Sequence, residues 1–340
     1  MNVFELTRAL VDMESITDNE YETGAFVLRH LSEAAARYGG QAESQNVSTN
    51  RFNVYAHWGE PLVTFSTHMD TVPPFFPSRE DDEFIWGRGS CDAKGIMASM
   101  ITAVEELLAE GVRNIAVLFV VGEERNSAGA YHAARNPHGS QYLINGEPTE
   151  NRLALGSKGA LRYEITATGR MAHSAYPELG ESAIEKLLEV LAEIRRIPMP
   201  SDRVLGSSTV NIGTLNGGRA PNVIPDHAKA EVMFRLVDDG ESIKAGVRHA
   251  VQGRAEAVEV LHTPAVLLDA LDDFETCIVK YTTDIPAFGG AWGRPLLLGP
   301  GTIHVAHTSE ERVPKRELLE AVEIYKKMAR QLLKQQTTIG

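Results

Sequence analysis

The stretch Ile115-Ala116-Val117-Leu118-Phe119-Val120-Val121-Gly122-Glu123-Glu124-Arg125 decides how the rest of the chain is read. Its unbroken apolar run predicts a strand buried on both faces, the habit of central strands in α/β sheets. The strand stops at a glycine and two acids. Buried like charges repel and take up protons unless a cation intervenes, so Glu123 and Glu124 point to chemistry rather than to a solvated surface.

Outward from this strand the pattern alternates. Strands are expected over 51–57, 62–67 and 141–145, and helices over 18–38 and 93–110, with Asp18 capping the first helix and Gly39-Gly40 ending it. Strands separated by helices predict a doubly wound α/β sheet. After Gly156 the texture changes: strands over 161–168, 208–215, 229–237 and 257–261 and helices over 181–197 and 241–253 follow in the order βαββαβ. That order is expected of a small α+β sandwich with helices on one face, inserted into the first domain. Helix, strand and helix over 269–281, 295–298 and 314–333 then complete the first sheet. The resulting division is 1–157 with 263–340 for the sheet domain and 158–262 for the insert.

A chain of 340 residues is long enough for about two domains of the usual ~150 residues. Its 43% apolar and 23% charged residues are those of a folded globular protein. The net charge, 33 − 46 = −13, argues against nucleic acid or anionic lipid as partner, since both select basic surfaces. The apolar run 115–121 falls far short of the ~20 residues that span a bilayer. Glu5, Asp12 and Glu14 spoil a leader pattern, and two cysteines, Cys91 and Cys277, make no disulfide framework, so the cytoplasm is the expected compartment.

Four further clusters put acids or imidazoles where strands are expected to end, which is where open α/β sheets bind ligands. Ser66-Thr67-His68-Met69-Asp70 offers an imidazole with a carboxylate behind it to fix its tautomer. Gly87-Arg88-Gly89-Ser90-Cys91-Asp92-Ala93-Lys94-Gly95 offers Asp92 between a glycine-rich turn and a helix, with Cys91 read as packing and Lys94 as a supporting or surface charge. Asn145-Gly146-Glu147-Pro148-Thr149 adds Glu147. The stretch from Gly299 to Glu311 adds two candidate imidazoles, His304 and His307. Taken singly, each cluster has an ordinary structural explanation. Together they make a donor set for two divalent ions with a carboxylate between them.

In this order and at these intervals, the clusters resemble the co-catalytic zinc hydrolases that include acetylornithine deacetylase, succinyl-diaminopimelate desuccinylase, aminoacylase and glutamate carboxypeptidase. The resemblance runs over nearly the whole chain. It implies two divalent ions, zinc first, with cobalt or manganese as alternatives. His68 and Glu147 would hold one ion and Glu124 and His307 the other. Asp92 would bridge them, Asp70 would stand behind His68, and Glu123 would be the general base. His307 is preferred over His304 because the family's deacetylases place Ala-His, then an acid four residues on, after a Gly-Pro-Gly stretch, as Ala306-His307 and Glu311 do here.

The insert carries its own matches. Met171-Ala172-His173-Ser174-Ala175-Tyr176-Pro177 is similar to a loop whose histidine reaches the partner subunit's active site to stabilise an oxyanion, which implies a homodimer built through this lid domain. Asn222 lies in an Asn-x-Ile-Pro turn. Arg235 matches a strand arginine that holds the substrate carboxylate, although Met233 stands where the family often has Asp. Thr283-Asp284 is similar to a turn lining the substrate pocket. The resemblance also implies a cis peptide at Asp92-Ala93. The expected reaction is amide hydrolysis of N-acyl amino acids. A dipeptidase, carboxypeptidase or aminopeptidase is the closest rival, and a catalytically silent association protein is a rival of another class.

Overall fold

The computed structural model of the chain describes residues 1–337. Chain order runs α1 (Val3–Val11), α2 (Tyr21–Tyr38), β1 (Gln41–Ser48), β2 (Arg51–Trp58), β3 (Val63–His68), α3 (Lys94–Ala109), β4 (Ile115–Val120), α4 (Ala128–Ala134) and β5 (Tyr142–Asn145). It continues with β6 (Gly159–Thr168), α5 (Ala183–Ile194), β7 (Thr209–Gly217), β8 (His227–Leu236), α6 (Glu241–Val251) and β9 (Glu256–Thr263). The last elements are α7 (Ile285–Phe288), β10 (Arg294–Leu297) and α8 (Lys315–Thr337). Two compact units result. The first takes Met1–Leu155, Leu268–Cys277 and the chain from Thr283 onward; the second takes Gly156–Leu267 with Ile278–Thr282.

Unit one is a mixed sheet in the order β1-β2-β4-β3-β5-β10. Strands β4, β3, β5 and β10 are parallel neighbours, and β2 runs antiparallel beside β4. The central strand shows why its sequence had to be continuously apolar. Ile115, Val117 and Phe119 join the core under α1, α2, α3 and α8, while Ala116, Leu118 and Val120 join a second core with α4 and α7. Alternate side chains point to opposite faces, and both faces are covered. The α/β fold is therefore doubly wound, as its pattern predicts.

Helix α8 is tied to the far edge of the sheet. Tyr325 packs edge-on against Phe65 with ring centroids 5.8 Å apart, and its hydroxyl donates to the Leu298 carbonyl at 2.8 Å. That bond holds the chain just after β10, where the last site loop begins.

In unit two the antiparallel order is β7-β8-β6-β9. Leu161, Tyr163, Ile165 and Ala167 of β6 and the even residues Ala228 to Leu236 of β8 share one core with α5 and α6. Both helices thus lie on one face of the sheet, and the order βαββαβ is observed.

Two local expectations fail. Residues 269–281 do not form a helix; Thr276–Val279 is a strand in the same small sheet as Leu153–Ser157. Thr276, Ile278 and Val279 are β-branched and suit an extended edge partner better than a helix. Asp18 does not cap α2, which starts at Tyr21 without a side-chain cap. Asp18 instead has φ +82° and pairs with Arg51 and Arg125. Gly39, at φ +71°, does end α2 in the left-handed conformation that glycine adopts without penalty. Among the described residues no helix is long and apolar enough to cross a membrane.

Replacing Tyr325 by Phe should cost about 1–3 kcal/mol, because it leaves the buried Leu298 carbonyl without its donor. Urea unfolding measures this, and a loss under about 0.5 kcal/mol would show that the bond contributes nothing.

Candidate active site

The parallel strands deliver the chemistry to one edge of the sheet. β3 ends on His68, β4 ends at Val120 just before Glu123 and Glu124, β5 ends two residues before Glu147, and β10 leads into the loop carrying His307. Parallel neighbours share a carboxyl end, so strands distant in sequence converge there. Asp92 comes from the turn before α3, and its peptide bond to Ala93 is cis.

Asp92 lies between the two imidazoles. His68 Nε2 is 3.0 Å from Asp92 Oδ1, and His307 Nε2 is 3.3 Å from Asp92 Oδ2. His307 Nε2 is also 3.0 Å from Glu124. One carboxylate oxygen thus faces each ring. His304 takes no part: it is exposed, and its ring makes no hydrogen bond or ion pair among the described residues.

The tautomer of His68 follows from its other nitrogen. Nδ1 lies 2.9 Å from the backbone carbonyl of Asp70, whereas the Asp70 carboxylate is 3.5 Å away. A carbonyl only accepts, so Nδ1 carries a hydrogen and Nε2 is the nitrogen that faces the acids. The Asp70 carboxylate mainly does something else. Its Oδ1 accepts the N–H groups of Gly122 and Glu123, each at 3.0 Å, and its Oδ2 accepts those of Glu124 at 3.2 Å and Thr17 Oγ1 at 2.8 Å. Gly122, at φ +82°, makes the bend that turns these N–H groups inward. Asp70 therefore sets the turn on which both glutamates stand.

Electrostatics supplies the test of whether a metal fits. Burial, followed by repulsion from Glu147, pushes the Glu123 carboxyl well above its usual range. Burial does the same to Glu147, with Asp92, Asp284 and Glu124 adding to it. Glu124 is raised by burial and by Asp92. Neither Glu123 nor Glu147 has a side-chain hydrogen bond or ion pair among the described residues, and Glu147 is only 4% exposed. Burial lowers His68, but its interactions with Asp70 and Asp92 outweigh this and raise the ring well above its usual value. Hydrogen bonds to Asp92 and Glu124 push His307 up to about 10. Shifts upward at these rings and acids mark donors that favour holding a proton in so crowded a cluster, and a proton on such a donor exchanges for a cation. Single ligand atoms of His68, Asp92 and Glu124 all lie within 4.8 Å of one another. Mixed imidazole and carboxylate donors suit zinc and its divalent neighbours.

Thr283 and Asp284, expected in the substrate pocket, are both buried. The Thr283 hydroxyl accepts the Ile285 N–H at 3.2 Å, and burial pushes Asp284 up to about 7. Cys91 is buried and its thiol donates to the Thr302 carbonyl, as packing requires. Lys94 is not a surface charge: it is 1% exposed, its Nζ donates to the Met13 carbonyl at 2.5 Å, and burial lowers it to about 7.

In unit two, His173 is exposed on a short strand paired with Val223–Ile224. Its Nδ1 accepts the Ala175 N–H at 3.1 Å, which leaves Nε2 as the donor of the neutral ring. Asn222 is exposed, and its carbonyl accepts the Ser174 N–H. Arg235, on β8 opposite Thr209 and Ala160, is half-buried. It makes no ion pair or hydrogen bond among the described residues, and burial alone lowers its pKa.

Sequence reasoning missed Thr17 and the buried pair Arg88–Glu311. Thr17 is aligned by a short parallel bridge between Ile16 and Thr71, which no motif announces. Glu311 is visible in the sequence as the acid four residues after His307, with no sign of its partner Arg88 or of the turn it grips.

The family model described as peptidase family M20/M25/M40 matches residues 64–331. A relative from Aspergillus clavatus, named a probable carboxypeptidase, is 39% identical over 360 residues, covering 94% of this chain and 86% of that protein. A tripeptidase from Staphylococcus aureus has a similar structure, with a TM-score of 0.78 at 22% identity, over 97% of this chain and 98% of that one. A dinuclear metal binding peptidase of the M20 family from Bacillus subtilis gives 0.68 at 16% identity, over 96% of each chain. With the family match over most of its length and a relative above 30% identity along nearly all of it, the chain belongs to peptidase family M20/M25/M40 and is a metallohydrolase of that family.

Proposed function

We propose that this enzyme hydrolyses the amide bond next to a free α-carboxylate, in N-acyl amino acids of the acetylornithine type or at the carboxyl end of short peptides. The observation that carries this reading is Arg235. A half-buried guanidinium without an acidic partner is costly unless an anion completes it, and a planar carboxylate matches its paired donors. Asn222 would share that carboxylate, and Thr283 and Asp284 would line the pocket. The carboxypeptidase name of the Aspergillus clavatus relative agrees, since a carboxypeptidase substrate is itself an N-acylated amino acid.

In this reading His68, Asp92 and Glu147 hold one divalent ion and Asp92, Glu124 and His307 the other, with zinc preferred over cobalt or manganese. Such ions, when bound, supply Lewis acidity that makes water a better nucleophile and polarises the carbonyl. Glu123, raised by burial and without a side-chain hydrogen bond or ion pair among the described residues, takes the proton of the attacking water and passes it to the leaving amine. Asp70 keeps Glu123 and Glu124 at fixed positions through their N–H groups. His173, with its donor at Nε2, serves the developing oxyanion of a partner subunit's site. The working form is then a cytoplasmic homodimer joined through unit two.

Three experiments test this reading. Zinc-loaded enzyme should cleave N-acyl amino acids or dipeptides with free carboxyl ends, and Arg235→Met should raise KM about tenfold or more, in line with the loss of a charge-assisted pair. Efficient cleavage of amino-acid anilides, which lack that carboxylate, would instead indicate an aminopeptidase. Glu123→Gln should keep its metal yet lose about 10²–10⁴ in kcat, whereas Glu124→Gln should lose metal in elemental analysis; swapped phenotypes would reverse the two roles. Mixed His173→Ala and Glu123→Gln chains should recover activity that neither homodimer has. Heterodimers that form without recovery would show that His173 does not act across subunits.

A further inference from the structure

The loop that follows β10 reaches Asp92 twice. Its His307 faces the Asp92 carboxylate. Four residues on, Glu311 reaches the backbone of the same turn from the other side. Glu311 Oε1 accepts the N–H groups of Gly89 at 2.9 Å, Asp92 at 3.1 Å and Cys91 at 3.3 Å. Its Oε2 accepts from Arg88 Nη1, and the Glu311 carbonyl accepts the Gly87 N–H at 3.1 Å. Glu311 and Arg88 are 1% and 2% exposed. Arg88 is further held by the Pro74 carbonyl and lies over the Phe76 ring. Beyond the loop, Arg312–Pro314 pairs with Phe84–Trp86, so both chain segments enter this contact in fixed register.

With its N–H drawn toward Glu311, Asp92 has its side chain free to face His68 and His307. The arrangement repeats what Asp70 does for the Gly122–Glu124 turn. Each buried carboxylate gathers three N–H groups of a turn whose own acid belongs to the metal cluster.

We infer that Glu311 is a positioning residue, which fixes the Gly89–Asp92 turn and so the placement of the Asp92 carboxylate between His68 and His307. This rests on the reading of Asp92 as a metal-bridging ligand. The two oxygens have separate tasks: Oε1 holds the turn, and Oε2 neutralises Arg88.

Two double variants separate those tasks. Arg88→Met with Glu311→Gln removes the buried charges and keeps an acceptor oxygen for the turn. Arg88→Met with Glu311→Met removes the charges and the acceptor together. The Gln form should bind zinc within about threefold of the unaltered protein in a chelator competition. The Met form should bind it about 10–100-fold more weakly, the usual cost of losing a group that orients a ligand. Its kcat should fall while KM stays within about twofold. Hydrogen exchange of the Gly89, Cys91 and Asp92 amides in the metal-free proteins should be at least about tenfold faster in the Met form. Equal zinc affinity of the two forms, or equal protection of those amides, would overturn the assignment. If the Met form does not fold, Arg88→Met with Glu311→Gln alone decides: zinc affinity within about tenfold of the unaltered protein supports the role, and a greater loss overturns it. An unaltered protein that binds no zinc would defeat the metallohydrolase site itself, while the amide comparison would still report on the turn.

Discussion

Everything about this sheet edge answers to one constraint: Asp92, Glu123, Glu124 and Glu147 crowd into a space from which water is largely excluded. Carboxylates so placed repel one another and lose hydration, which is why burial is the first cause of the raised pKa at Glu123, Glu124 and Glu147. Asp92 moves the other way despite its burial, because His307 and His68 each hydrogen-bond one of its oxygens. A protein gains nothing in stability from gathering acids like this. Their collection makes sense as a receptor for cations, and the family to which the chain belongs agrees with that.

Holding such a cluster requires that its members cannot swing apart, and the backbone supplies the restraint. Asp70 and Glu311, themselves almost fully buried, are stable as charges because each accepts several N–H groups. Burial works against the Asp70 charge, yet His68, Thr17 and the Glu123 N–H hold it below its usual range. Glu311, close to Asp92, is instead pushed up to about 6 by burial, with Arg88 countering. The turns these two residues grip continue directly into β4 and α3, whose apolar residues lie in the doubly covered core. Rigidity thus passes from packing to turn to ligand.

The two units divide the chemistry by residue type. Unit one carries the acids and imidazoles of the cluster, on strands whose buried faces leave little freedom. Unit two carries Arg235 on an antiparallel sheet with one covered face, and His173 and Asn222 on a short strand pair and its turn. Its polar face is laced by short pairs such as Lys229–Glu164, against which Arg235, unpaired among the described residues, stands out.

Much of this was legible in the residues. The seven-residue apolar run and the alternation around it specified a doubly wound mixed α/β sheet with its central strand covered on both faces, and the βαββαβ order of the insert followed from periodicity, because both signals are local. His68, Asp92 and Glu124 stand out as candidates because each lies at the end of an expected strand or turn, whereas the choice of His307 over His304 comes from the family resemblance. Three things were not legible. Residues 269–281 read as helix until Leu153–Ser157 offered β-branched residues a strand partner. Lys94 read as a supporting or a surface charge, and only the fold shows it buried with the Met13 carbonyl as its acceptor. The grips of Thr17 on Asp70 and of Glu311 on the Asp92 turn span 53 and 219 positions. The sequence by itself determined which side chains would be available at the sheet edge, because strand ends and turns are written in neighbouring residues. Only the tertiary structure decided which buried carboxylates face the imidazoles and which bind backbone, because that depends on which N–H groups and rings distant segments bring within 3 Å or so.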